Sequence, residues 1–129
     1  MKMTARIISC FVFCLLAFSL AAGQQVSKPK TFYTEGTFSN IAAGPGGDYG
    51  GMQIYLTDSD GQFYATVTTA EGVLLPPVLV KVDVEIEKRR VAFTLPNENG
   101  PRKFTGTVSA GGLTLFEGGS KTFLKRKCY

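Results

Sequence analysis

The sequence contains no histidine among its 129 residues. Without an imidazole, Ser-His and Cys-His nucleophile pairs and His-based zinc sites are excluded, which removes much of ordinary hydrolase chemistry. The glycines fall in Gly-Gly pairs between predicted strands and not ahead of a helix, so Walker and dinucleotide-binding patterns are also absent. We therefore predict a protein that is not an enzyme, and we assign no catalytic, cofactor-binding or metal-binding residue.

Cysteine is scarce as well. Of the three cysteines, Cys10 and Cys14 lie in the apolar N-terminal segment, and Cys128 is the only one in the rest of the chain. An internal disulfide is therefore excluded, and stability must come from packing and sheet hydrogen bonding. Because Cys128 follows the cationic stretch 125–127 near the end of the sequence, we predict an exposed thiol that can link two chains into a disulfide dimer.

Only one long apolar run is present, and it is N-terminal. Lys2 and Arg6 precede a mainly apolar run from Ile7 to Leu20, which is followed by the small residues Ala21-Ala22-Gly23. This is the three-part layout of a secretory signal, and the run is shorter than the roughly 20 residues of a membrane span. We predict that residues 1–23 are a signal peptide, that the protein is secreted or periplasmic, and that cleavage leaves no transmembrane segment.

The remaining chain of about a hundred residues has the length of a single domain. Residues 24–30 are polar with one proline and predict a flexible leader before a domain over 31–129. Apolar residues there alternate at spacing two, as in Val82-Asp83-Val84-Glu85-Ile86-Glu87, whereas helical spacing is not sustained anywhere. The domain is therefore predicted to be all-β.

Turn signals divide the domain into about eight strands. The segments are Phe32 to Ser39, Gly51 to Thr57, Gln62 to Thr68, Val78 to Glu87, Val91 to Leu95, Lys103 to Ser109, Leu113 to Phe116 and Lys121 to Lys127. Sequential neighbours can pair throughout, which gives an antiparallel up-and-down meander. Such a meander is expected to close into a barrel, because closure removes exposed strand edges.

Hairpin registers follow from keeping one face apolar in both strands. With four-residue loops, alternation places Ile54 opposite Ala65, Val84 opposite Phe93 and Val108 opposite Leu113. The two-residue turn Gly118-Gly119 places Leu113 opposite Leu124. Side chains are expected to fill the small interior rather than leave a ligand cavity. The predicted interior set is Met52, Ile54, Leu56, Phe63, Val84, Ile86, Phe93, Phe104, Val108, Leu113 and Leu115.

Four segments carry a resemblance to a known group of proteins. They are Gly50-Gly51-Met52-Gln53-Ile54, Asp60-Gly61-Gln62-Phe63, Lys103-Phe104-Thr105-Gly106-Thr107-Val108 and Phe123-Leu124-Lys125-Arg126. Their succession resembles the small meander barrels of exported bacterial proteins that are loosely lipocalin-like. Gly36-Thr37-Phe38 stands where lipocalins carry Gly-X-Trp. The resemblance implies the barrel fold and at most a binding role.

Acidic residues suggest two sites, and each has a simpler interpretation. Asp83, Glu85 and Glu87 share one face of a predicted strand, but their neighbours are apolar, so they are expected to face water. Asp58-Ser59-Asp60-Gly61 begins like a calcium loop but continues into a strand without the later glutamate, so we interpret it as a turn.

Basic residues form two clusters, Lys88-Arg89-Arg90 and Lys125-Arg126-Lys127. A nucleic-acid surface would need these clusters and aromatic residues on one face, and the net charge of +4 falls to +2 once Lys2 and Arg6 are removed. We therefore interpret the clusters as solvated charges and predict no nucleic-acid partner.

The tyrosines also allow a binding role. Tyr33, Tyr49, Tyr55 and Tyr64 could orient a ligand, and Tyr55 and Tyr64 fall on the outer face of their hairpin, where cross-strand packing explains them equally well.

Taken with the missing catalytic groups, the predicted architecture indicates an exported, non-catalytic module that binds a small apolar ligand or a protein partner at the mouth or rim of the barrel. The alternative is a protein–protein module, similar to an inhibitor, whose leader at 24–30 enters the cleft of a partner.

Overall fold

A computed structural model describes residues 33–128, and the part of the chain that it describes is all-β, with no helix. The strands are β1 (Gly36–Ser39), β2 (Ala42–Ala43), β3 (Tyr49–Ser59), β4 (Gln62–Leu74), β5 (Val78–Glu85), β6 (Arg90–Leu95), β7 (Arg102–Val108), β8 (Gly112–Glu117) and β9 (Ser120–Lys127). The predicted fold class is confirmed. The signal peptide and the leader lie outside the described residues.

The sheet closes on itself. From β3 to β9 each strand pairs antiparallel with the next, and β1 pairs with both β3 and β9. The barrel wall therefore contains eight strands, while β2 is a two-residue addition to β3. This is the predicted up-and-down meander, and every strand of the wall pairs on both sides. The second half of β4, residues 68–74, has no partner in β5.

Side chains fill the interior of the barrel. Phe93 and Phe104 stack with their ring centroids 5.1 Å apart. The predicted interior set is confirmed except for Ile86, although Phe63 and Val84 are only partly buried. The buried apolar cluster comprises Phe38, Met52, Ile54, Leu56, Ala65, Val67, Val80, Val82, Val91, Phe93, Leu95, Phe104, Val108, Leu113, Leu115 and Leu124.

The hairpin of β3 and β4 is tighter than predicted. Ser59 pairs with Gln62, so Asp60 and Gly61 alone form the turn, with φ of 52° and 80°. Positive φ at both positions is the geometry of a two-residue primed turn, which Asp-Gly favours. The predicted four-residue loop is wrong, and Ile54 lies opposite Val67 instead of Ala65.

The register of the β5–β6 hairpin also differs from the prediction by two residues, although its loop has the predicted length of four residues. Its last pair is Glu85 with Arg90, the turn spans 86–89, and Val84 lies opposite Val91 instead of Phe93. A displacement of two residues keeps every side chain on its predicted face, because strand side chains alternate with a period of two. Ile86 is the exception, since it leaves the strand and is 64% exposed in the turn.

The two C-terminal hairpins have the predicted registers. Val108 lies opposite Leu113 across the β7–β8 turn, and Leu113 lies opposite Leu124 in the β8–β9 hairpin. Glu117 pairs with Ser120, so Gly118 and Gly119 alone form the turn, and this is the loop length that the sequence predicted.

An arginine covers an aromatic ring at each end of the barrel. At the end where β9 finishes, which we call the Arg126 end, the Arg126 guanidinium lies 4.6 Å from the Phe38 ring centroid. At the opposite end, the Arg102 end, Arg102 lies 5.2 Å from the centroid of Phe104. Both contacts have the geometry of a cation–π interaction.

Candidate functional site

The outward positions of β6, β7, β8 and β9 form one continuous surface, which we call the basic wall. In each strand these positions alternate with the buried ones, so the wall is the reverse side of the core. Its charged residues are five exposed cations, and no outward position in these strands is acidic. The cations are Arg90, Lys103, Lys121, Lys125 and Lys127.

The opposite half of the barrel differs in charge. The outward positions of β1, β3, β4 and β5 contain one cation, Lys81, and two anions, Asp83 and Glu85. The modest net charge of +4 thus conceals a wall of one sign, and clustered charges of one sign create a local potential larger than the net charge alone suggests.

Two exposed phenylalanines lie on the basic wall. Phe116 is 41% exposed and Phe123 is 52% exposed. Phe116 pairs with Lys121 and Phe123 pairs with Thr114, so the two rings stand on adjacent strands at diagonal positions. The Cα atoms of such diagonal neighbours lie roughly 7 to 8 Å apart. The Phe123 ring leans toward Gly112, on the side away from Phe116. The wall therefore presents two separate aromatic rings among its cations.

Gly112 supports the position of Phe123. A Cβ atom added at Gly112 would come within 2.7 Å of the Phe123 ring, closer than nonbonded carbon atoms pack. Only glycine leaves room for the ring to lie against the backbone of β8, which fixes where this aromatic side chain stands.

Small side chains make part of the basic wall concave. A cavity of about 750 Å³ is bordered by Arg90, Ala92, Thr105, Thr107 and Phe116 of the wall, and on its β5 side by Asp83 and Glu85. A second cavity, of about 650 Å³, shares Ala92, Thr105 and Asp83 with the first and extends to Lys81 and Lys103. Threonine hydroxyls and cations of the wall thus border a surface that is open to solvent and that meets the β5 carboxylates at one side.

The larger cavity also reaches the mouth of the barrel at the Arg126 end. Phe63, Val84 and Ile86 border it there, and Phe63 and Val84 are the partly buried members of the core. These apolar residues lie where the sequence analysis predicts a binding site, at the mouth of the barrel.

The candidate carboxylates do not converge. Asp83 and Glu85 face outward from β5 as predicted, but β5 ends at Glu85, so the prediction that Glu87 shares their strand face is wrong. Glu85 Oε2 lies 2.7 Å from Lys88 Nζ, and the hydrogen bond from Lys88 lowers the pKa of Glu85. A glutamate with a lowered pKa is ionised at neutral pH and is poorly suited to act as a general acid.

The predicted turn at residues 58–61 and the predicted outward tyrosine lie in different parts of the β3–β4 hairpin. Asp58 and Ser59 belong to β3, and only Asp60 and Gly61 form the turn. Tyr55 is 49% exposed on the outside of the hairpin, as predicted. Within residues 33–128, no group of three or more acidic, cysteine or histidine side chains could hold a metal ion.

The two basic clusters meet at the Arg126 end, on either side of the β7–β8 turn. Val108 N donates to the Arg89 carbonyl at 2.9 Å, and Arg126 N donates to the Gly111 carbonyl at 2.9 Å. Clusters 35 residues apart in the sequence therefore flank one turn. Alternation in β7 and β9 already identifies Lys103, Lys121, Phe123, Lys125 and Lys127 as outward positions. It does not show that these strands share one surface with β6 and β8.

Cys128 is exposed, as predicted, at the Arg126 end. No helix in residues 33–128 is long and apolar enough to cross a membrane. Comparisons with protein families, curated proteins and solved structures find no match to this chain.

Proposed function

We propose that this protein is an exported, non-catalytic module that binds a macromolecular partner on the basic wall. The observation that carries the proposal is the coincidence of exposed aromatic rings and charge of one sign on β6–β9, beside a concavity that these strands share with β5. Surfaces that combine aromatic anchors with a charged rim are typical of interaction sites. Export is part of the proposal and rests on the signal-like residues 1–23.

A lipocalin-like relationship is a further part of the proposal. The eight-strand meander supports it, whereas Gly36-Thr37-Phe38 in β1 departs from the lipocalin Gly-X-Trp by having phenylalanine in place of tryptophan. A lipocalin-like barrel usually suggests a ligand in the interior, but here buried side chains occupy that space. Binding on the outside of the barrel is therefore favoured.

A second candidate function is capture of a small apolar ligand at the barrel mouth. Phe63, Val84 and Ile86 favour it, because they supply an apolar margin to the larger cavity. This candidate needs no contact with the lysines of the basic wall, so the two functions predict different binding residues.

The test is an amide NMR map of the exported protein in the presence of a dialysed concentrate of the native extracellular fluid. Binding on the basic wall predicts shifts at Thr105, Thr107 and Phe116 and unchanged signals at Thr66, an outward threonine of β4. Oleate is the matched apolar probe. If oleate shifts Val84 and Val91 while the concentrate leaves the wall unchanged, the mouth is the binding site and the wall proposal is wrong.

A pair of variants adds a control for surface bulk. Thr105→Trp fills the concave wall and is expected to abolish binding from the concentrate, whereas Thr66→Trp places the same side chain on the opposite half of the barrel. Equal loss in both variants would contradict a site on β6–β9.

A further inference from the structure

We infer that the partner of the basic wall is a single-stranded nucleic acid. This inference rests on the proposed use of the wall for binding and names the class of partner. The sequence-based expectation of no nucleic acid rested on the small net charge and on the absence of a reason to place basic and aromatic residues on one face. The structure instead brings five cations and two exposed phenylalanines to one surface.

The charge pattern of the wall fits an extended polyanion. Adjacent strands lie about 4.8 Å apart, so the four strands span about 14 Å, and Lys121 and Lys125 are separated by about 14 Å along β9. Within residues 33–128, none of the four lysines of the wall has a carboxylate within salt-bridge distance. Their ammonium groups can therefore contact phosphates without first breaking an ion pair.

The two aromatic rings distinguish a nucleic acid from a plain polyanion. Phe116 and Phe123 expose ring surface that carries no hydroxyl or other polar tip, and they stand on adjacent strands beside Lys121. Successive bases of a single strand stack on aromatic side chains while cations track the backbone, and this arrangement tolerates any sequence. A duplex hides its base faces, so it would gain contact with the cations but not with the rings.

Threonine side chains complete the surface. Thr105, Thr107 and Thr114 lie between the rings and Arg90, and their hydroxyls can donate to phosphate or sugar oxygens. A hydroxyl contact of this kind positions the strand without selecting a base. We therefore expect weak sequence preference.

The experiment measures binding of a fluorescent dT15 oligonucleotide to the full exported protein by anisotropy between 50 and 200 mM salt. If the strand contacts all five cations, the slope of log K against log salt is about −3.5, and affinity falls about 100-fold over this range. Removing two contacts in Lys121→Gln with Lys125→Gln should reduce the slope by about 1.4. Thr66→Ala, at an outward position of β4 in the opposite half, should leave the slope unchanged.

The rings are tested separately with variants that keep their packing. Phe116→Leu and Phe123→Leu should each weaken dT15 binding by about 5- to 150-fold without changing the salt slope, because stacking is lost and the charge is not. Tyr55→Leu, an exposed aromatic residue of the opposite half, is the matched control. Inorganic polyphosphate, which has no bases, should bind more weakly than dT15 and ignore both leucine substitutions.

Three results would overturn the inference. They are absence of dT15 binding at 50 mM salt, equal binding of dT15 and polyphosphate with no effect of the leucine substitutions, and tighter binding of a duplex than of dT15. None of them would by itself refute the basic wall as a binding surface, because the NMR map with extracellular concentrate tests that separately. Shifts on the wall from the concentrate without dT15 binding would indicate an acidic protein or another polyanion.

Discussion

An arginine covers an aromatic ring at each end of the barrel, but the two arginines form hydrogen bonds with different kinds of partner. Arg126 Nη1 donates to the Glu35 carbonyl at 2.8 Å, and Nη2 donates to the carbonyls of Tyr33 at 2.8 Å and Ser109 at 3.2 Å. Arg102 instead makes a two-point contact with the Glu117 carboxylate, at 2.6 and 2.7 Å. The carbonyl oxygens that Arg126 binds cannot titrate, whereas the carboxylate that Arg102 binds can.

The contacts also differ in what they join. Arg126 links β9 to the segment before β1 and to the β7–β8 turn, so it fastens the seam where the barrel closes. Arg102 and Glu117 lie on the neighbouring strands β7 and β8, which backbone pairing already holds together. The same interaction geometry therefore stabilises a long-range junction at one end and a local pair at the other.

The largest effect is expected at the Arg126 end. Arg126→Ala removes three charge-assisted hydrogen bonds and the contact with Phe38, and we expect a loss of about 3 kcal/mol in the free energy of unfolding. Arg126→Lys, which keeps the charge without the planar fork, should lose about half of this. Urea unfolding measures both, with Arg90→Ala as a control for an exposed arginine. A loss in Arg126→Ala no larger than that in Arg90→Ala would contradict the fastening role.

A smaller effect is expected at the Arg102 end. Arg102→Ala and Glu117→Gln should each cost about 1 kcal/mol, because the pair is two-pronged but about a third exposed. A double-mutant cycle with Arg102→Ala and Glu117→Gln isolates the coupling between the two groups. If Arg102→Ala destabilised the barrel as much as Arg126→Ala, the distinction between seam and local pair would be lost.

Low pH should change the contribution of Arg102 and Glu117 to stability but not that of the carbonyl contacts of Arg126. The hydrogen bond from Arg102 holds the pKa of Glu117 below its ordinary value of 4.5. A carboxyl with a lowered folded-state pKa contributes stability that is complete above about pH 4.5 and disappears as the pH falls through the folded pKa. The cost of Glu117→Gln should therefore shrink between pH 6 and pH 3, whereas the cost of Arg126→Ala should stay constant. Urea midpoints for both variants across this range provide the measurement, and parallel curves would disprove the difference.

The smallest effect on stability is expected for Cys128, which is exposed at the Arg126 end. Cys128→Ser should change the free energy of unfolding by less than about 0.5 kcal/mol. Protein aged without reductant is predicted to form a disulfide-linked dimer on a non-reducing gel, and Cys128→Ser should stay monomeric. A dimer that persists in Cys128→Ser would locate the association on the barrel surface instead of the thiol.

Alternation was sufficient to predict the class, the strands and most of the core, because a buried face constrains every second residue. It could not choose between registers that differ by two, since both keep the same face buried. The error at Val84 and Phe93 arose there, whereas Gly118-Gly119 permitted one loop length and its hairpin was predicted correctly.

The basic wall was harder to predict for a different reason. Each lysine was visible as a solvated charge in its own strand, but the shared surface depends on four strands lying side by side in a closed barrel. The sequence alone gives the net charge, which adds the cations of the wall to the anions elsewhere in the chain.

The seam held by Arg126 has a kinetic consequence. Hairpins of the meander join residues close in sequence, but the pairing of Thr37 with Lys127 closes a loop of about 90 residues. Contacts of this kind form late, because their entropy cost must be met before they contribute stability. Loss of the Arg126 contacts should therefore accelerate unfolding by about 100-fold and leave the refolding rate almost unchanged. Arg126 would therefore determine how long the barrel stays folded more than how fast it folds.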